Sequence, residues 1–397
     1  MFFLSLLWPF GAFIISIYRY KYRNFAIASL LLAIMYALCM QVFSNDLFNA
    51  DITRNLQAVS RSQYLSWTEI FLKKDFFLSF MGKLLCYISD DIRFLGVCFV
   101  VINTIIFLRC FYILDQKVDS ITYQLKPFSI VLIVLAFCFW DINSLRFKIA
   151  TTFYIWCVLE YFINRRTLFR YLSILSPFIH FGFFIAVIPF LLYKWLKDKI
   201  KLIWVIFFVS FFLATPSVSL YMDQFSREYL SESISESVSI YSSEEGLENM
   251  AKFYEKGKQE GNLNRIISRS MVEVRNYTVM ACVFALSFWF YRYRRSEVSL
   301  NRRLNFLLLF CSFANIASSN SQGQRFYEIV AILAICFFIL IKYQMRFNLR
   351  SILILKFLIM ITFIIVSVNS LLYIYIGREA LNLSEIILLG PLFKFFI

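Results

Sequence analysis

The stretch SPFIHFGFFIAVIPF, residues 176–190, decides how this chain folds, because it holds His180, the single histidine of the protein, inside a run apolar enough for hydrocarbon. An imidazole changes charge near neutral pH, so one placed in a bilayer marks function more strongly than the aromatics around it. The same run carries Pro177, Gly182 and Pro189. Proline lacks the N–H that a helix needs and crowds the preceding turn, so residues 171–193 are predicted to break or re-enter and not to cross once.

Composition makes that setting general. With 397 residues, 60% hydrophobic and 16% charged, and a mean hydropathy of +0.69, the chain cannot hide its apolar surface in a water-soluble core. It reads as all-α, a polytopic integral membrane protein forming one transmembrane domain over residues 1–397. Apolar runs at about 2–18, 25–43, 94–114, 127–140, 147–163, 202–221, 277–291, 304–316, 326–341 and 352–373, with the broken segment, predict roughly ten to twelve spans. The first run has no basic leader and no small-residue cleavage site, so it is expected to be retained. Of nine cysteines, eight fall in apolar runs and none forms a CxxC pair, so neither disulfides nor a metal site is expected.

A net charge of +15 in a soluble protein would suggest nucleic acid. Here the cations sit in short loops: RYKYR at 19–23, NRRTLFR at 164–170, KWLKDKIK at 194–201, RYRRSEVSLNRR at 292–303 and KYQMRFNLR at 342–350. Such loops stay cytoplasmic, and nucleic acid is not an expected partner. Placing all five inside fixes an orientation with the N-terminus outside. Residues 44–92 become a first large periplasmic loop, 141–146 an outer turn, and 221–275 a second large periplasmic loop. Parity holds only if residues 171–193 make an even number of passes, which is the break again. Within 221–275 the tract SESISESVSIYSSEEG is too polar to fold alone. Ser242 and Glu245 then make a capping-box pattern, with Leu247, Met250, Ala251 and Tyr254 at helical spacing.

With that orientation the outer charges become informative. Asp51 and Arg54 lie in NADITRN, Asp141 and Arg146 in WDINSLR, and Arg325 in SQGQRFYE. An outer turn gains nothing in orientation from arginine, so Arg146 and Arg325 are the strongest candidates. A guanidinium grips phosphate oxygens bidentately, which suits a pyrophosphate at the membrane surface. The competing structural reading pairs Arg146 with Asp141 and Arg325 with Glu328, and gives His180 a backbone carbonyl freed at the break.

The order NADITRN, then NSLRFKIATTFYI opening a span, a basic loop, LSPFIHFGFFIAVIPF and a late QGQRFYEIVAIL resembles the bacterial EpsG-type, Wzy-like polysaccharide polymerases. The resemblance runs from about residue 45 to 345, and Asn55 departs from it where a tyrosine is expected. It implies a GT-C-like glycosyltransferase of the bacterial cytoplasmic (inner) membrane. That enzyme joins undecaprenyl-pyrophosphate-linked oligosaccharide repeats at the periplasmic face in O-antigen, lipopolysaccharide or exopolysaccharide assembly. Membrane lipid and a chain-length regulator are the further partners implied. Arginines can stabilise a departing pyrophosphate without metal or cofactor. On this reading Arg146, Arg325 and His180 are catalytic, with His180 as general base or acceptor-positioning group, and Asp51, Arg54 and Asp141 bind substrate. A lipid-linked oligosaccharide flippase or transporter, a membrane O-acyltransferase and a structural assembly subunit are the alternatives. A flippase should carry its cations on several spans around a central cavity, and an acyltransferase should keep its histidine near the inner face.

Overall fold

The computed structural model describes residues 2–39, 50–73, 76–122, 125–139, 144–229, 243, 263–293, 298–318, 323–344, 357–358 and 360–368. Among these every regular element is a helix. They fall into two compact units, one ending at Phe183 and the other beginning at Phe184.

The first unit opens with α1 (Phe2–Leu7), α2 (Pro9–Tyr18) and α3 (Tyr22–Cys39), followed by α4 (Ala50–Ser60), α5 (Trp67–Leu72) and α6 (Phe76–Cys86). The 31-residue α7 (Ile92–Thr122), α8 (Pro127–Phe137) and α9 (Leu145–Phe162) follow, and α10 (Leu168–Leu172) and α11 (Ser176–Ile179) close it. Local sequence sets several of these boundaries. Pro9 and Pro127 occupy first-turn positions whose N–H has no helical partner. Ser66 and Glu69 form a reciprocal capping box that starts α5.

The stretch read as a first outer loop, 44–92, is therefore helical where it is described. Its α4 buries Leu56 and Val59 on one face. Gly82 of α6 lies so close to Val59 that a Cβ there would stand 2.8 Å from the Val59 carbonyl oxygen, and Leu56 reaches Gly96 of α7. Only glycine at 82 lets α4 and α6 approach this closely.

Helices α7 and α9 run side by side in the same direction. Asn103 Nδ2 donates to the Phe139 carbonyl just after α8 at 2.8 Å, Cys110 Sγ donates to the Thr152 carbonyl at 3.7 Å, and Arg109 Nη2 meets Glu160 Oε1 at 2.9 Å. Tyr22 donates to the Leu108 carbonyl, and Asn164 and Arg166 also reach Glu160. RYKYR and NRRTLFR thus share the end of this unit that holds Glu160, and the turn into α9 lies toward the other end.

The second unit contains α12 (Phe184–Leu196), α13 (Ile200–Leu213), α14 (Pro216–Tyr229), α15 (Leu263–Tyr293), α16 (Val298–Ala317) and α17 (Phe326–Gln344). Helices α13 and α16 are parallel neighbours: Arg302 Nη2 lies 3.4 Å from Asp198 Oδ1 beside the start of α13, and Asn315 Nδ2 donates to Ser210 Oγ at 3.1 Å near its end. Helix α15 runs against α13, with Trp204 packed on Tyr291 and Phe207 stacked on Phe284. Helix α17 runs against α16, since Tyr327 meets Asn315 and Gln344 meets Arg303. KWLKDKIK, Arg302, Arg303 and the end of α17 therefore gather at one end, and Gly323–Arg325 lies at the other. Within each unit the basic stretches share an end, as charge parity along the sequence requires.

Among the described residues two helical stretches, Phe94–Ile121 and Phe326–Gln344, are long and apolar enough to cross a membrane, and shorter apolar helices of 10–17 residues accompany them. The all-helical architecture is that expected of a membrane protein. In the described parts of the 221–275 stretch, residues 221–229 continue α14 and 263–275 belong to the 31-residue α15. Phe225 and Tyr229, one turn apart on α14, pack ring against ring with centroids 4.9 Å apart, and Arg227 pairs with the buried Asp223 one turn away at 3.0 Å. The capping-box helix expected at 242–254 lies, apart from Ser243, outside the described residues.

Candidate functional site

The segment around His180 is broken, and the break falls at the histidine. Residues Leu168–Leu172 and Ser176–Ile179 are helical, with a single 3-10 turn, Ser173–Leu175, between them. Pro177 sits in the first turn of α11. His180 itself is extended (φ −148°, ψ 113°), and the 3-10 turn Phe181–Phe183 with Gly182 at its centre follows. The ends of the break are tied locally: His180 N–H donates to the Ser176 carbonyl at 3.0 Å, and Phe183 N–H donates to the His180 carbonyl at 2.9 Å. After the unit boundary, α12 has 13 residues and contains Pro189. At 1.5 Å per residue α12 is about 20 Å long, short of the ~30 Å hydrocarbon core.

The partner surface comes from the start of α9. Helix α8 ends at Cys138 in the left-handed region (φ 42°). Asn103 fixes the next carbonyl, and Phe107 stacks on Phe139 with centroids 4.5 Å apart. Asn103 is the twelfth residue of α7, so this turn lies about 16 Å along α7 from its first residue. Arg146, half-buried, occupies the first turn of α9. The next residue, Phe147, is buried, and its ring stands edge-on to His180 at 5.6 Å and against Phe183 at 5.4 Å. Tyr154, two turns on along the same face, meets Phe183. Arg146 is the residue before Phe147, in the first turn of the helix that packs on the break. His180 Nδ1 is shut off from solvent.

Helix α6 completes this side, with Phe76 packed on Phe178 at 5.4 Å. Asp51 and Arg54 lie on α4, whose backbone is described there. Asp141 lies outside the described residues.

Arg325 belongs to the second unit. It ends the 3-10 turn Gly323–Arg325, and Gly323 is required there: a Cβ would fall 1.6 Å from the Ala317 carbonyl oxygen. Two residues later Tyr327 donates to Asn315 Oδ1 at 2.9 Å and touches Met280 Sδ at 3.3 Å, and Asn315 donates to Ser210. The Arg325 turn is thus bolted to α13, α15 and α16.

Two further cations were not singled out by sequence reading. Lys148, 7% exposed, follows Phe147 on α9, and the lysine inside the apolar run FKIATTFYI was a signal that could have found it. Arg275 is buried on α15, donates twice to Asn276 Oδ1 at 3.1 and 3.0 Å, and feels the charge of Glu328 on α17. Arg275 was hidden by the assignment of its stretch to a loop. Among the described residues no cluster of three or more His, Cys, Asp or Glu side chains could hold a metal ion.

An all-helical architecture with long apolar helices, one of its apolar segments broken at a histidine, is that of a membrane protein. The chain belongs to the EpsG family, whose model matches residues 59–377. This is a family of glycosyltransferase-like, polysaccharide-related polymerases acting in general on lipid-linked saccharides. No curated protein and no solved structure matches the chain.

Proposed function

We propose that this protein is a multi-pass polymerase of the bacterial cytoplasmic membrane, GT-C-like and with about ten to twelve spans. It joins undecaprenyl-pyrophosphate-linked oligosaccharide repeats on the periplasmic face, in O-antigen or exopolysaccharide assembly. The observation that supports the reading is the packing of Phe147, the residue after Arg146 in the first turn of α9, on His180. In the reaction the bond between the anomeric carbon and the pyrophosphate oxygen breaks, with its electron pair leaving on the pyrophosphate. A hydroxyl of the acceptor sugar forms the new glycosidic bond and gives up its proton.

Each residue has a chemical task. Arg146 and Arg325 hold the pyrophosphate and offset the charge that develops on it, a role for which a permanently ionised planar fork is suited. His180 accepts the acceptor proton or aligns the hydroxyl. Asp51, Arg54 and Asp141 line the sugar entrance. No metal or cofactor is assigned a task in this scheme.

The test replaces Arg146, Arg325 and His180 singly by alanine in a strain lacking the chromosomal copy, with membrane levels of the protein followed by immunoblot. Surface glycan should collapse from a ladder to single repeats in each case. A full ladder surviving all three changes would sink the assignment.

A further inference from the structure

Among the described residues, the basic end of the second unit holds a guanidinium with no counter-charge. Arg303, in the second turn of α16, is 3% exposed. Its Nη1 donates to Gln344 Oε1 at 3.1 Å, a neutral acceptor at the end of α17. Its Nε is buried without a hydrogen-bond partner, and among the described residues Arg303 makes no ion pair. The edge left over is therefore the Nε–Nη2 edge, the one that grips a phosphate or carboxylate bidentately.

Arg302 beside it is in a related state. Its Nη2 reaches Asp198 at 3.4 Å, but Asp198 is itself well exposed, and Arg302 Nε is buried without a hydrogen-bond partner among the described residues. Tyr193 of α12 clamps the same turn by donating to the Arg302 carbonyl. Asp198 is the only acid in residues 194–201, against Lys194, Lys197, Lys199 and Lys201.

Arginine cannot shed its proton to escape burial, and an ion enclosed without a partner costs several kcal/mol. A neutral amide offsets little of that. Nor can Arg303 reach out to bulk lipid as a surface arginine does, because its side chain is enclosed between α16 and α17. We propose that Arg303, with Arg302 beside it, anchors a phosphate-binding site at this end of the unit, occupied by the head group of an anionic lipid. The lipid source is favoured by the neighbouring surface. Helix α13 starts at the same end, runs alongside α16, and exposes Leu202, Val205, Phe208 and Phe212 in a single stripe, a track along which an acyl chain can lie below its phosphate. The site lies at the opposite end of its unit from Arg325 and does not depend on the polymerase reading.

A ligand that binds only the folded protein raises its melting temperature, so the test is thermal. The full chain, purified with a non-histidine tag and stripped of lipid in mild detergent, is melted alone, with phosphatidylglycerol, with phosphatidylcholine and with inorganic pyrophosphate. Arg303→Met and Arg303→Lys are compared with the parent. Phosphatidylglycerol should raise the parent's Tm by several degrees and phosphatidylcholine should not. Arg303→Met should fold at least as well without lipid, since a buried uncompensated charge has been removed, and should lose the response, with about a tenfold weaker phosphatidylglycerol affinity. Arg303→Lys should respond partially, because a point charge replaces the fork. If Arg303→Met is not recovered from membranes, Arg303→Lys carries the comparison. A response to pyrophosphate alone would overturn the lipid source. An equal phosphatidylglycerol response in parent and variant, or none in the parent to either phosphate, would overturn the site.

Discussion

The Phe147 ring meets His180 edge-on, with centroids 5.6 Å apart and planes at 84°. That one contact ties the helix break to the start of α9, because Phe147 follows Arg146 in its first turn and also packs on Phe183 beyond the break. Phe147→Leu keeps most of the apolar volume but loses the ring edge against the imidazole. We expect the variant to reach the membrane at parental levels and to shorten the glycan ladder several-fold. Phe147→Ala should also destabilise the protein by about 3–5 kcal/mol, through the cavity it opens. Gel analysis of surface glycan beside an immunoblot separates the two effects.

Arginine and lysine should not be interchangeable at the site. If Arg146 and Arg325 grip pyrophosphate through two parallel N–H bonds each, lysine supplies charge without the fork. Arg146→Lys and Arg325→Lys should therefore behave nearly as the alanine variants do in the ladder assay. Full polymer from both lysine variants would mean that charge alone suffices and that the bidentate role is wrong.

The Arg325 turn should fail sterically before it fails chemically. A Cβ at position 323 has no room against the Ala317 carbonyl, so Gly323→Ala must push the turn away from α16. Loss of polymer is expected with Arg325 still present. Tyr327→Phe leaves Asn315 Oδ1 without its donor in a buried setting, at a cost of roughly 1–3 kcal/mol. A lower melting temperature in detergent with an intact ladder would fit a purely structural part for Tyr327.

Much of this was legible in the sequence, and for physical reasons. Pro177 and Gly182 announce a break because one lacks an N–H and the other lacks a side chain, and the break falls between them at His180. The sharing of ends by basic loops follows from the cost of moving lysine and arginine across a bilayer, and within each unit the helix contacts arrange the loops that way. The extent of α15 was not legible. Arg265, Arg269, Glu273 and Arg275 lower the hydropathy of its first turns below that of a span, yet the helix continues through them and buries Arg275. Arg303 was read as one more anchoring cation in NRR, since burial depends on the neighbouring α17 and leaves no trace in local composition.

At the other end of the first unit Glu160 is fully enclosed and accepts from Arg109 at 2.9 Å, Asn164 at 2.7 Å and Trp156 at 3.3 Å, with Arg166 at 3.6 Å. Arg109 is 39% exposed, which makes the pair asymmetric. Removing the arginine leaves a buried carboxylate, whereas neutralising the glutamate leaves an arginine that water can reach. Arg109→Ala should cost roughly 1–3 kcal/mol and Glu160→Gln less. The buried Cys157, one turn before Glu160, gives the readout: a thiol-reactive dye should label Arg109→Ala at a lower temperature than Glu160→Gln. The reverse order would mean that Glu160 is held by its neutral donors.

The capping box of α5 gives a pH dependence with a definite sign. The Ser66 backbone N–H and hydroxyl hold the Glu69 carboxylate below the usual glutamate range. A depressed folded pKa means that the contribution to α5 is complete above the unfolded value, about 4.3, and is lost as pH falls through the folded value. Amide exchange at Glu69 N–H, which donates back to Ser66 Oγ at 3.2 Å, should then speed up relative to a base-catalysed reference as pH drops below that value. Glu69→Gln should remove the dependence while keeping α5 partly capped through Ser66, and a parental pH profile in that variant would assign the titration to another group.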